Sequence, residues 1–136
     1  MSDDHEEPAA GKRVAVDLLD GIGVVRLDRP EKLNALSVPM LKEVGRVLDE
    51  LGRGGNSKGI VLTGEGRAFS AGDDLPATES LTLADFEELL SAFQALTLRI
   101  LQADVPVLAA LNGIAVGGAA EMTLACDARV GHPGSD

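Results

Sequence analysis

Two long helical stripes set between short β-type runs are what most restrict the fold of this chain. After Ser37, a helix-capping residue type, Val38, Leu41, Val44, Leu48 and Leu51 recur at helical spacing, and Gly52 to Gly55 closes the segment. Thr82 and Asp85 have the spacing of a capping box, and Leu83, Phe86, Leu89, Leu90, Phe93, Leu96, Ile100 and Leu101 then keep the period to about Ala103. The runs around these stripes are too short for helices. Arg13 to Leu18 and Ile22 to Leu27 are joined by Asp20-Gly21, a hairpin dipeptide. Lys58 to Thr63 contains the continuous apolar run Ile60-Val61-Leu62 of a strand covered on both faces, and Pro106 to Leu111 is a further buried strand. A third helix starts at Gly117 or Gly118 and ends near Cys126, after which Ala128 to Val130 begins another strand. Strand and helix in alternation predict an α/β layered fold, with the second stripe serving as core packing.

At 136 residues and 45% hydrophobic content the chain can build one core, not two. Residues 1–13, MSDDHEEPAAGKR, carry four acids, a proline and no apolar period, and read as a disordered tail outside a core spanning 14–136. The formal charge of −10 argues against nucleic acid and anionic membrane as partners, since both call for clustered Lys and Arg. Val105 to Cys126 is mostly apolar and holds Gly113 and Gly117 at G-x-x-x-G spacing, but Pro106, the Asn112-Gly113 turn signal and Glu121 exclude a membrane span. Cys126 is the only cysteine, so no intramolecular disulfide forms; it reads as a small buried hydrophobe. No apolar segment follows the N-terminal charges, and the expected location is the cytoplasm. His5 and His132 stand apart from any metal-ligating pattern, so no metal is expected. Gly21 to Arg26 and Gly64 to Phe69 fall short of dinucleotide and phosphate-loop patterns.

Two glycine-rich stretches lie where strand hands over to helix: RAFSAGDDL from Arg67, and NGIAVGGAAEMTLACD from Asn112. Turns of this kind bring backbone N–H groups close to a ligand, and the amides of Asp73 and Gly118 are placed to converge on one carbonyl oxygen as an oxyanion hole. Glu121, three residues after Gly118, shares its helix face and could move a proton on whatever the hole polarises. Its neighbours Ala119, Ala120 and Met122 predict a buried carboxylate, for which chemistry is the natural use. Asp74 reads as structural, capping backbone groups in the Gly72 turn.

These stretches, together with RPEKLNALS from Arg29 to Ser37, resemble the crotonase superfamily of enoyl-CoA hydratases and isomerases in order and spacing, over about Val14 to Val130. The most specific block is F-S-A-G-x-D-L at Phe69 to Leu75. The resemblance implies the N-terminal portion of a spiral of β-β-α units. It also implies an acyl-CoA thioester as substrate, with coenzyme A entering as part of that substrate and no separate cofactor. Asp73 and Gly118 would hold the thioester oxygen through their amides, the Asp73 side chain being merely tolerated. The Ala71 carbonyl would face the adenine. Lys32 and Leu33 would flank the CoA moiety, and Gly72 and Gly117 would admit the ligand to the backbone. Glu121 would be the first of two glutamates that activate water.

The family runs well beyond Asp136, through the second glutamate and the helices that build its trimers, so a homo-oligomer is one implied partner. Acyl specificity falls to the loop Pro76 to Leu81 and to the part beyond. The expected function is hydration of a 2-enoyl-CoA. The alternatives are isomerisation of an enoyl-CoA double bond, or a silent chain that only binds CoA thioesters or a full-length relative.

Overall fold

A computed structural model describes residues 13–74 and 81–131. Both histidines, nearly all of the expected tail, and the loop from Pro76 up to Ser80 lie outside the described residues. The hairpin forms as expected: β1 (Val14–Leu19) and β2 (Ile22–Leu27) pair antiparallel, with Leu19 opposite Ile22, and the turn takes left-handed φ values of 54° at Asp20 and 85° at Gly21.

Helix α1 (Val38–Leu51) begins where Ser37 Oγ accepts the Met40 amide, with a proline in its first turn. It buries Leu41, Val44, Leu48 and Leu51 of the stripe that the sequence period marks, together with Met40 and Val47, while Val38 of that stripe is half-buried. Helix α2 (Leu83–Gln102) opens on the complete capping box, Thr82 Oγ1 accepting from Asp85 N and Asp85 Oδ2 from Thr82 N. Its stripe departs from expectation. Leu89, Leu96 and Ile100 are buried, but Leu83, Phe86, Leu90 and Leu101 are exposed, because α2 packs chiefly on α1 and leaves its other flank open. At the crossing, Gly45 leaves the space that the Arg99 guanidinium occupies.

Strands β3 (Gly59–Gly64), β5 (Val107–Ala110) and β7 (Ala128–Val130) extend the hairpin into a five-stranded sheet of order β1-β2-β3-β5-β7, parallel from β2 onward. Ile60 and Leu62 are buried while Val61 is only half-buried, so β3 is covered fully on one face rather than both. The sequence period missed two short strands, β4 (Ala68–Ser70) and β6 (Ile114–Ala115), which pair parallel as a second small sheet. With them the chain resolves into three units, β1-β2-α1, β3-β4-α2 and β5-β6-α3, where α3 spans Gly118–Leu124 and β7 opens a fourth. This is the β-β-α spiral expected. The segment Val105 to Cys126 is thereby β5, β6 and α3, and no helix among the described residues is long and apolar enough to cross a membrane.

Candidate functional site

The second small sheet gathers the motif blocks at one place. Leu36 N donates to Gly72 O at 2.7 Å and Asp74 N to Leu36 O at 3.0 Å, an isolated parallel bridge centred on Asp73. Because both bonds flanking Asp73 go to Leu36, the Asp73 amide itself points to the opposite side, away from that segment. Ala71 N donates to Leu33 O at 2.9 Å, so the Lys32-Leu33 loop and the Ala71-Gly72 turn are direct neighbours. Gly72 lies at φ 97°, and a Cβ there would fall 2.8 Å from Val116 O, backbone that cannot move aside. Gly117 (φ 60°, ψ −137°) precedes α3 in a conformation closed to other residues, and places Gly118 at the helix start.

Four polar side chains, none of them predicted as site residues, hold this junction. Asn34, fully buried at φ 58°, accepts from Arg29 N at 2.7 Å and donates to Glu65 O and Ala68 O. Ser70 Oγ donates to Asn34 O and accepts from Gly72 N. Asn112 accepts from Gly64 N and donates to Gly66 O and Ala68 O. Arg29 pairs with Asp74. That last pair corrects the expectation for Asp74: its role is structural, but its partner is the guanidinium of the first motif block and not the Gly72 turn. The signal for Asn34 was its place inside RPEKLNAL, as a residue type that tolerates the left-handed backbone.

The Gly118 amide is not open. It donates to Asp73 Oδ1 at 3.3 Å, so the side chain thought to be merely tolerated is engaged at the site. The ring of Phe93, half-buried against the core, also lies against the same glycine, where a Cβ would come within 2.7 Å of it. Glu121 sits in the first turn of α3, its amide bonded to Gly117 O at 3.2 Å, but its side chain is exposed and not buried as its apolar neighbours suggested. On so short a helix the buried face falls to Ala119, Met122 and Thr123, and Glu121 lies outside it. The structure thus brings together Leu33, Ala71, Gly72, Asp73, Gly117 and Gly118, with Lys32 exposed on the adjoining 3-10 turn.

A cavity of about 200 Å³ opens beside Leu33, lined also by Arg67, Ala68 and Ile114. A larger one, about 590 Å³, lies between α1 and α2 and shares no lining residue with the glycine turns. Among the described residues no group of three or more His, Cys, Asp or Glu is placed to hold a metal. Cys126 is buried, and desolvation, with Asp127 beside it, pushes its thiol up to about 11, which leaves it protonated and unreactive at neutral pH.

Known proteins share this fold. The family described as enoyl-CoA hydratase/isomerase matches residues 18–133. The chain belongs to this family, within the crotonase superfamily. It is 40% identical over 121 residues to a protein of Rhodobacter capsulatus named "Probable enoyl-CoA hydratase", covering 84% of this chain and 44% of that one. It is 39% identical over 124 residues to 4-chlorobenzoyl coenzyme A dehalogenase-2 of an Arthrobacter species, covering 86% and 44%. The crystal structure of enoyl-CoA hydratase from Bacillus anthracis superposes with a TM-score of 0.85 at 30% identity, covering 90% of this chain and 48% of that one. This crotonase-family chain therefore spans less than half the length of these relatives, and the reactions their names carry are not one reaction.

Proposed function

We propose that this chain carries the thioester-binding part of a crotonase site and acts in hydration of 2-enoyl-CoA. The observation that supports this most is the juxtaposition of Asp73 and Gly118 across the two glycine turns, with the Asp73 amide turned away from its Leu36 neighbours. Addition of water at C3 of a conjugated thioester pushes an electron pair through C2 to the thioester oxygen. Two fixed N–H groups aimed at that oxygen stabilise the charge where it develops, and protonation at C2 then regenerates the thioester. Glu121, exposed at the first turn of α3, is placed to take the proton from water as the C3–O bond forms. Leu33, whose carbonyl accepts from Ala71 N, lines the cavity that Arg67 also lines, and Arg67 and Lys32 supply positive charge for the coenzyme's phosphates.

Isomerisation shares the same enolate and would use the same two amides. Glu121 favours hydration. The third reading, binding without turnover, gains from the engaged Gly118 amide. The test is crotonyl-CoA binding and hydration by the purified 136-residue chain and by Glu121→Gln. Hydration that falls by roughly 10²-fold or more in Glu121→Gln supports the proposal. Binding without hydration assigns a binding role alone, and absence of binding overturns both.

A further inference from the structure

We propose that the Asp73 carboxylate is a built-in stand-in for the thioester oxygen, which substrate must displace from the Gly118 amide before the oxyanion hole can act. The inference rests on the reading of the two amides as that hole. Asp73 Oδ1 lies 3.3 Å from Gly118 N, and within 3 Å of the point where a Gly118 Cβ would stand, so it sits directly over the start of α3. A substrate oxygen must come to about 2.7 to 3.1 Å from the same nitrogen. The amide has one proton, and the developing thioester charge and the carboxylate are both negative, so the two oxygens compete and repel.

The main chain fixes the side chain's origin. The bonds to Leu36 on either side of Asp73 hold its backbone, while its side chain is exposed and reaches across to α3. Among the described residues no cation pairs with it, and Arg29 of the first motif block is taken by Asp74. The Gly118 amide is therefore the contact that keeps the carboxylate in place, and one amide bond at an exposed position is readily exchanged for another acceptor. The neighbouring Glu121 adds a further negative charge on the same helix turn and does nothing to anchor it.

The experiment compares two ligands that differ only at the competing atom: butyryl-CoA, and the thioether in which its carbonyl is a methylene. Calorimetric titration of the chain, of Asp73→Ala and of Asp73→Asn gives a thioester-to-thioether affinity ratio for each. The ratio cancels the general gain in affinity for a polyanion when one negative charge is removed. Release of the amide in Asp73→Ala should raise the ratio roughly three- to tenfold. Asp73→Asn, whose amide oxygen still accepts but without charge, should lie between. An unchanged or lowered ratio in Asp73→Ala, with both ligands bound, overturns the stand-in and leaves the hole intact. Failure of every protein to bind either ligand, with the fold confirmed by circular dichroism, removes the hole itself and the proposal with it.

Discussion

Asn34 shows how much of the site rests on one side chain that no catalytic pattern would flag. It is fully buried in the left-handed region, and its amide closes bonds to Arg29 N, Glu65 O and Ala68 O. Asn34→Ala leaves these groups without partners and puts a residue with no local hydrogen bond at positive φ. A loss of about 2 to 4 kcal/mol is expected, read as a lower urea midpoint at unchanged slope. Cys126 makes a prediction of opposite character. Its pKa rises from 9.0 to about 11 on folding, so the folded state favours the protonated thiol. The corresponding stability is full below pH 9 and is lost as pH climbs from 9 toward 11, a loss that Cys126→Ala should abolish in urea titrations across that window. At this scale the glycine positions were legible, because only a residue without Cβ fits beside Val116 O. The Asp73 contact with Gly118 was not, because it spans 45 positions and depends on two turns meeting.

Caps and periods made α1 and α2 readable almost to the residue, since Ser37, Thr82 and Asp85 satisfy specific amides that a helix start leaves open. The burial of α2 was not readable: an apolar stripe says that a face avoids water, not which neighbour covers it. Leu96, at 1% exposure, and Leu101, at 62%, belong to that same stripe. Leu96→Ala should therefore cost about 2 to 5 kcal/mol, whereas Leu101→Ala should stay within about 0.5 kcal/mol. Equal losses in paired denaturant titrations would show that the outer flank of α2 is covered in solution. Strands β4 and β6, of three and two residues, are too short to display a period, and yet they set the meeting of Ser70 with Ala115 that brings Gly72 against Val116.

For the molecule as a whole, the balance is between uncovered apolar surface and charge. Leu83, Leu98 and Leu101 on α2, Leu124 on α3 and Val130 on β7 are each more than half exposed, and β7 ends the sheet with all three residues exposed. Faces of this kind favour association. The formal charge of −10 opposes it through repulsion between copies. Salt separates the two effects, since screening over about 8 Å at physiological ionic strength weakens the repulsion and leaves hydrophobic burial in place. Light scattering should accordingly show an average mass that rises with protein concentration and rises further as salt is added. A Leu98→Lys, Leu101→Lys pair should lower it at every salt concentration without moving the urea midpoint by more than about 0.5 kcal/mol equivalent, since neither side chain is in the core. A mass that stays monomeric at high salt would show instead that the open flank of α2 tolerates water. Association that survives the pair would place the contact on another exposed apolar face, Leu124 of α3 with the β7 edge or Leu18 and Leu19 of β1.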